Sequence, residues 1–142
     1  MFDSTLVCQK FVDKGFKANQ IQTHMASLLA EILNSLDSEN EHQERILYLY
    51  AGSRKGNTEL WRAFKESYPE HIHVVSYTLE MSKHFGFEDS IKTIQKRDDL
   101  KDKIVIIDAG GALYLQSRAT GLTPGQANTF VNDKKLRALV FS

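Results

Sequence analysis

The segment Ile46-Leu-Tyr-Leu-Tyr-Ala-Gly-Ser-Arg-Lys-Gly-Asn-Thr58 runs from an apolar strand through a glycine-containing turn into the start of a helix. A strand, a tight turn and a helix N-terminus in that order aim backbone N–H groups and the positive end of a helix dipole at one spot, which suits a phosphate. A second apolar strand, Lys103-Ile-Val-Ile-Ile-Asp108, ends on a carboxylate. Fifty residues separate Thr58 from Asp108, with one more strand-like run between them. That spacing fits a strand–helix–strand–helix–strand core in which the loop and the carboxylate reach the same sheet edge.

The rest of the chain after Glu44 alternates in the same way. Strand-length apolar runs at Ile46–Tyr50, Ile72–Tyr77, Ile104–Ile107 and Leu136–Phe141 are separated by a helix over about Asn57–Tyr68 and a helical region within Leu79–Leu100. Such alternation predicts an α/β fold: a three-layer, P-loop-like parallel sheet of about four strands with helices on both faces. The working edge is then the one at the strand C-termini. Before it lies a helical N-terminal lead-in. Ile21, Met25, Leu28, Leu29, Ile32, Leu33 and Leu36 form an amphipathic stripe that Asn19 can cap, and the polar run from Asn34 to Glu44 closes it. Phe2, Leu6, Val7, Phe11, Val12 and Phe16 suggest a shorter helix or irregular segment ending near Gly15. The weakly patterned stretch Gly110 to Asp133 reads as a loop with a short helix over Gln126–Val131.

At 142 residues the expectation is one α/β domain, with 1–44 as lead-in and 45–142 as core. Lys plus Arg equal Asp plus Glu at 18 each, so no net field draws the molecule to nucleic acid or to an anionic membrane. Cys8 is the only cysteine, which excludes an intrachain disulfide and fits a reducing compartment. Met1-Phe-Asp-Ser-Thr5 lacks the basic and apolar regions of a signal peptide, and no apolar run approaches a membrane span. The chain is therefore expected to be cytoplasmic, without a membrane partner.

The candidate phosphate-binding residues are Gly52, Ser53, Arg54, Lys55, Gly56, Asn57 and Thr58. They occupy the frame G-x-x-x-x-G-K-[ST], with Gly56 and Thr58 in place but Ala51 and Asn57 departing from it. Asn57 stands where a lysine would neutralise the β- and γ-phosphates, and an amide donates only neutral hydrogen bonds. Asp108 is the candidate metal residue if a magnesium nucleotide binds. Ala109 follows it where a second acid would polarise a water. The site thus reads as inherited but disarmed, with no catalytic residue to name. Two plainer readings stay open: the glycines make only a tight turn, and Asp108 only caps the turn Asp-Ala-Gly-Gly.

The run Leu47-Tyr-Leu-Tyr-Ala-Gly-Ser-Arg-Lys-Gly-Asn-Thr-Glu-Leu-Trp-Arg-Ala63 resembles the P-loop segment of the bacterial replication initiator DnaA and its shorter regulatory homologue Hda. His73-Val-Val-Ser-Tyr-Thr78 is similar to their second strand, Lys103–Asp108 to their Walker B strand, and Leu136–Ser142 to their sensor 1 strand. Phe2-Asp3-Ser4 and the helix after Asn19 resemble the family's lead-in. The resemblance implies a AAA+ domain with degenerate Walker motifs, lacking the fifth strand, the sensor 2 region and the lid. It further implies ATP or ADP with magnesium, bound weakly or not at all, and a regulatory module acting through a protein partner in a setting linked to DNA replication. The implied sheet order is 2-3-4-1 or close to it, with the first strand set between the third and fourth.

An alternative comes from Gly52-Ser-Arg-Lys-Gly-Asn-Thr58, which also resembles the phosphate loop of flavodoxin-like FMN reductases. Such a loop wraps the flavin phosphate with hydroxyls and backbone amides and needs no lysine, so FMN is the alternative cofactor. Its sheet would run 2-1-3-4.

Other candidates are weaker. His71 and His73 would share one strand face but lack a third ligand, and His24, His42 and His84 show no ligand spacing with cysteine. Trp61 reads as core packing of the first core helix. Lys92, Lys96, Arg97, Lys101 and Lys103, interrupted by Asp98, Asp99 and Asp102, read as a solvated helix end rather than a nucleic-acid patch.

Overall fold

A computed structural model describes residues 1–15, 20–36, 44–48, 57–76, 92–108 and 123–142. The elements are α1 (Ser4–Asp13), α2 (Gln20–Ser35), β1 (Ile46–Tyr48), α3 (Asn57–Ser67), β2 (Ile72–Ser76), β3 (Ile104–Asp108), α4 (Pro124–Lys134) and β4 (Ala138–Phe141). Residues 92–96 are also helical. The sheet is parallel throughout, in the order β1-β4-β3-β2, with Ile46 paired to Leu139, Ile104 to Ala138 and Ile72 to Ile104. Read from β2, this is 2-3-4-1. The first strand lies outside the fourth, at the edge, rather than between the third and fourth. The order is not the 2-1-3-4 of a flavodoxin-like sheet.

β3 and β4 are buried at every position, whereas β1 is half-buried at Ile46 and Leu47 and exposed at Tyr48. Continuous apolar sequence is what a central parallel strand needs, because helices cover both of its faces. The alternation within each strand then sorts side chains between two cores. Ile72, Ile104, Ile106, Ala138 and Val140 pack against α1, α2 and α3 through Phe11, Leu33, Trp61 and Phe64. Val75, Val105, Ile107, Leu139 and Phe141 pack on the other face, against Ile94, Leu100 and the α4 residues Ala127, Phe130 and Val131. The result is three layers, with the N-terminal helices forming part of one of them.

The lead-in is fastened by specific bonds. Phe2, only 4% exposed, donates its N–H to Asn34 Oδ1 at 2.7 Å, while Asn34 Nδ2 donates back to Phe2 O at 2.8 Å. Its ring meets Tyr68 edge-on at 4.9 Å, and the Arg137 guanidinium lies 5.6 Å above it. Asp3 caps α1 by accepting from Thr5 N, which settles the uncertain N-terminal segment as a helix. Its buried residues are Val7 and Phe11; Leu6 and Val12 face solvent. On α2 the buried stripe is Ala26, Leu29, Ala30, Leu33 and Leu36, while Leu28 is 47% exposed. The small residues Ala26 and Ala30 permit close approach, so they displace Leu28 from the contact face.

The fourth helix is longer than the sequence pattern suggested. Thr123 Oγ1 accepts from Gln126 N, and Gln126 Oε1 accepts from Thr123 N, a reciprocal capping box with Pro124 in the first turn. Lys135 ends the helix in the left-handed conformation, φ 52°. The expected strand ends at Tyr50 and Tyr77, the Asn19 cap, Phe16 and most of Gly110–Asp133 lie outside the described residues.

Candidate functional site

Helices in a parallel α/β sheet run back against the strands, so their N-termini gather at the strand C-termini. Asp108 is the last residue of β3 and Thr58 the second of α3, which puts both at that edge. The Thr58 hydroxyl donates to Asp108 Oδ2 at 2.7 Å. A hydrogen bond to an ionised acceptor is roughly twice as strong as a neutral one. Asp108 is 1% exposed. A buried carboxylate is tolerated only where donors or positive potential offset its desolvation, and the α3 N-terminus supplies potential of that sign.

The sheet aligns further residues with this pair. Ser76 stands opposite Asp108 in the β2–β3 register. Ser142, directly after β4 and 1% exposed, donates its N–H to Ile107 O at 3.0 Å. Ser142 therefore joins Asp108 as a buried polar residue closing an apolar strand. The shared signal is in the sequence, a long apolar run ending in one small polar side chain, but it singled out only the charged member.

Of the candidate residues, the structure brings together Thr58 and Asp108. Asn57 opens α3. Gly52, Ser53, Arg54, Lys55 and Gly56 lie outside the described residues, as does Ala109. Among the described residues no group of three His, Cys, Asp or Glu side chains could hold a metal ion. Thr58 and Asp108 instead offer one hydroxyl and one carboxylate, hard oxygen donors of the kind magnesium takes when phosphate and water oxygens complete its shell. The donor set fits a magnesium nucleotide in chemistry.

Other parts of the molecule fit their simpler readings. Trp61 is fully buried against Phe64, ring centroids 5.8 Å apart. His73 faces Arg97, with Nδ1 3.2 Å from Arg97 Nη1. A groove of about 560 Å³ separates Gln95 from α4. Its Thr123, Gln126 and Thr129 groups are occupied by the capping box and by a bond from Thr129 to Gly125 O. No described helix is long and apolar enough to cross a membrane.

Comparison with protein-family models, with curated proteins and with solved structures returned no match.

Proposed function

We propose that this chain is a degenerate P-loop module of the DnaA/Hda type, which holds a magnesium nucleotide weakly and acts through a protein partner in a regulatory setting. The observation that carries this reading is the 2.7 Å bond between Thr58 and Asp108, two residues fifty positions apart in sequence. A tight turn alone would explain the glycines, and a capped turn alone would explain Asp108. Neither explains why the hydroxyl and the carboxylate meet. The sheet order supports the same lineage, since β4 separates β1 from β3.

In this reading the backbone amides entering α3 take up the phosphate, and Thr58 and Asp108 take the metal. Magnesium would offset charge on the phosphate oxygens when bound. What Asn57 and Ala109 do not supply is catalytic electrostatics: Asn57 brings no cation to the phosphates, and Ala109 cannot polarise a water. Removing such preorganised groups costs about 10²–10³-fold in rate for each. Turnover of ATP is therefore expected to be negligible, and binding is the output. The replication setting comes from the sequence resemblance.

Calorimetric titration with ATP–Mg²⁺ and with FMN tests the reading. The wild type should bind ATP–Mg²⁺ weakly, and Asn57→Lys should tighten it about tenfold, because a charge-assisted contact replaces a neutral one. FMN should not gain. Tight FMN binding by the wild type, weakened by Asn57→Lys, would reverse the assignment; binding of neither ligand by either protein would leave only a structural turn. Ordinary ATPase turnover abolished by Asp108→Asn would refute the disarmed site.

A further inference from the structure

At the opposite edge of the sheet, three cations from three places in the chain converge on His73. Val75 packs in the core with Val105 and Leu100, so His73, two residues earlier, lies on that same sheet face. Lys103, two residues before Val105, shares the face on the neighbouring strand. Ile72 pairs with Ile104, which brings the starts of the two strands together. Arg97 approaches from above, its Nη1 3.2 Å from His73 Nδ1. Lys65 reaches around the β2 edge from α3 and donates to Ile72 O at 2.7 Å and Pro69 O at 2.9 Å.

The cluster offers almost only donors. A guanidinium cannot accept, so His73 Nδ1 accepts from Arg97 and the ring proton sits on Nε2. Lys65 has one N–H beyond its two carbonyl bonds. Among the described residues the facing carboxylate is Asp99, 61% exposed, held by Arg97 through bonds of 2.8 and 2.7 Å. Among the described residues, three cations and that one carboxylate therefore leave two positive charges in excess around a neutral imidazole. Burial, then Arg97, Lys65 and Lys103, push the His73 pKa down to about 4, and burial with Lys103 and Arg97 also lowers that of Lys65. Helix-end capping explains Lys65, whose bonds satisfy the carbonyls after α3. It does not explain Lys103 or the crowding of Arg97 beside a histidine.

We propose that the N-terminal edge of β2 and β3 is an oxyanion site that binds a phosphate group through Lys103, Arg97 and the His73 Nε2–H, with Lys65 alongside. A phosphate presents several acceptor oxygens to converging donors and neutralises the excess charge. The site stands apart from the Thr58–Asp108 pair, since Lys103 and Asp108 are separated by five residues of extended chain, about 16 Å. It does not depend on the reading of that pair.

The experiment is a titration of the full chain with sodium phosphate against sodium chloride at matched ionic strength, following the His73 ring signals by NMR. Phosphate should shift those signals at pH 7 and raise the His73 midpoint by a unit or more. Lys103→Gln should weaken the phosphate effect about fivefold or more. Asp99→Asn, which removes an exposed competing carboxylate, should tighten it several-fold. A purely structural cluster would not respond to Asp99→Asn in that direction. Replacing phosphate with a short oligothymidylate identifies the source: a stronger effect per phosphate assigns the site to a nucleic-acid backbone, and an effect with phosphate and pyrophosphate alone assigns it to a free phosphate compound. An unchanged His73 midpoint in 50 mM phosphate, about a fiftyfold excess over a millimolar dissociation constant, would overturn the proposal. Phosphate affinity indifferent to both substitutions would do the same.

Discussion

The two ends of one parallel sheet have opposite electrostatic character. At the strand C-termini a buried carboxylate, Asp108, accepts a bond from Thr58 beside the N-terminus of α3. At the strand N-termini, Lys65 caps the carbonyls that follow α3, and Arg97 and Lys103 gather around His73. The difference follows from direction. Helices antiparallel to the strands leave N–H groups at one edge and carbonyls at the other, so acids favour the first and bases the second. What direction does not dictate is excess, and among the described residues the N-terminal edge carries more positive charge than its carbonyls and Asp99 answer.

Both ends belong to one cooperative unit only if the central strand couples them. Ile106 is fully buried in the middle of β3, between the two clusters. Ile106→Ala should cost about 2–5 kcal/mol through lost burial and a residual cavity. Denaturant unfolding should show one transition at lower denaturant for both ends. If hydrogen exchange shows the Asp108 end opening while the His73 end stays protected, the two edges are independent and the contrast between them loses its physical basis.

A smaller effect isolates the cationic end. The folded pKa of His73 is held down to about 4, against 6.5 for an unburied imidazole. Between those values the unfolded chain binds a proton that the folded chain does not. Stability is therefore full above about pH 6.5 and is lost as pH falls towards 4, by about 1–2 kcal/mol for this group once solvent screening of a half-buried ring is counted. His73→Gln should flatten that part of the stability–pH curve. A curve as steep as the wild type's would place the titrating group elsewhere.

How well the sequence foretold these two ends differs for a physical reason. Thr58 and Asp108 were legible because each closes or opens a regular element at a fixed place, and a buried strand such as Ile104–Ile107 has no polar residue to blur its boundary. The layers were legible for the same reason. The His73 cluster was not, since Lys65, Arg97 and Lys103 come from separate elements and their meeting depends on β2–β3 register. The lysines and Arg97 looked like one solvated face. Lys92, Lys96 and Lys101 are indeed exposed, but Arg97 and Lys103 are only partly so. On α2 the expected stripe held at Leu29, Leu33 and Leu36, with Met25 partly buried, but it included the exposed Leu28 and missed Ala26 and Ala30, because apolarity favoured leucine where helix packing favoured alanine.

At the other end, Asp108→Asn keeps the shape and an acceptor for Thr58 while removing the charge. Magnesium-dependent nucleotide binding should fall about tenfold, the size of one charge-assisted contact, and binding without magnesium should change little. Isothermal titration with and without magnesium separates the two. An equal loss in both conditions would mean that Asp108 shapes the loop rather than meeting a metal.

The smallest effect compares two helix N-termini that the parallel topology directs to the same edge. The α4 terminus is closed by its own side chains, with Thr123 and Gln126 exchanging bonds of 3.2 and 3.0 Å. Its donors are therefore committed within the helix. The α3 terminus instead begins at Asn57, with the Thr58 hydroxyl turned to Asp108. Thr123→Ala should cost about 1 kcal/mol of stability, the usual worth of an N-cap, and leave ATP–Mg²⁺ affinity unchanged. Thermal unfolding measures the first and calorimetry the second. A fall in affinity with Thr123→Ala would show that α4 shares the ligand, and the division between a capped terminus and a binding one would not hold.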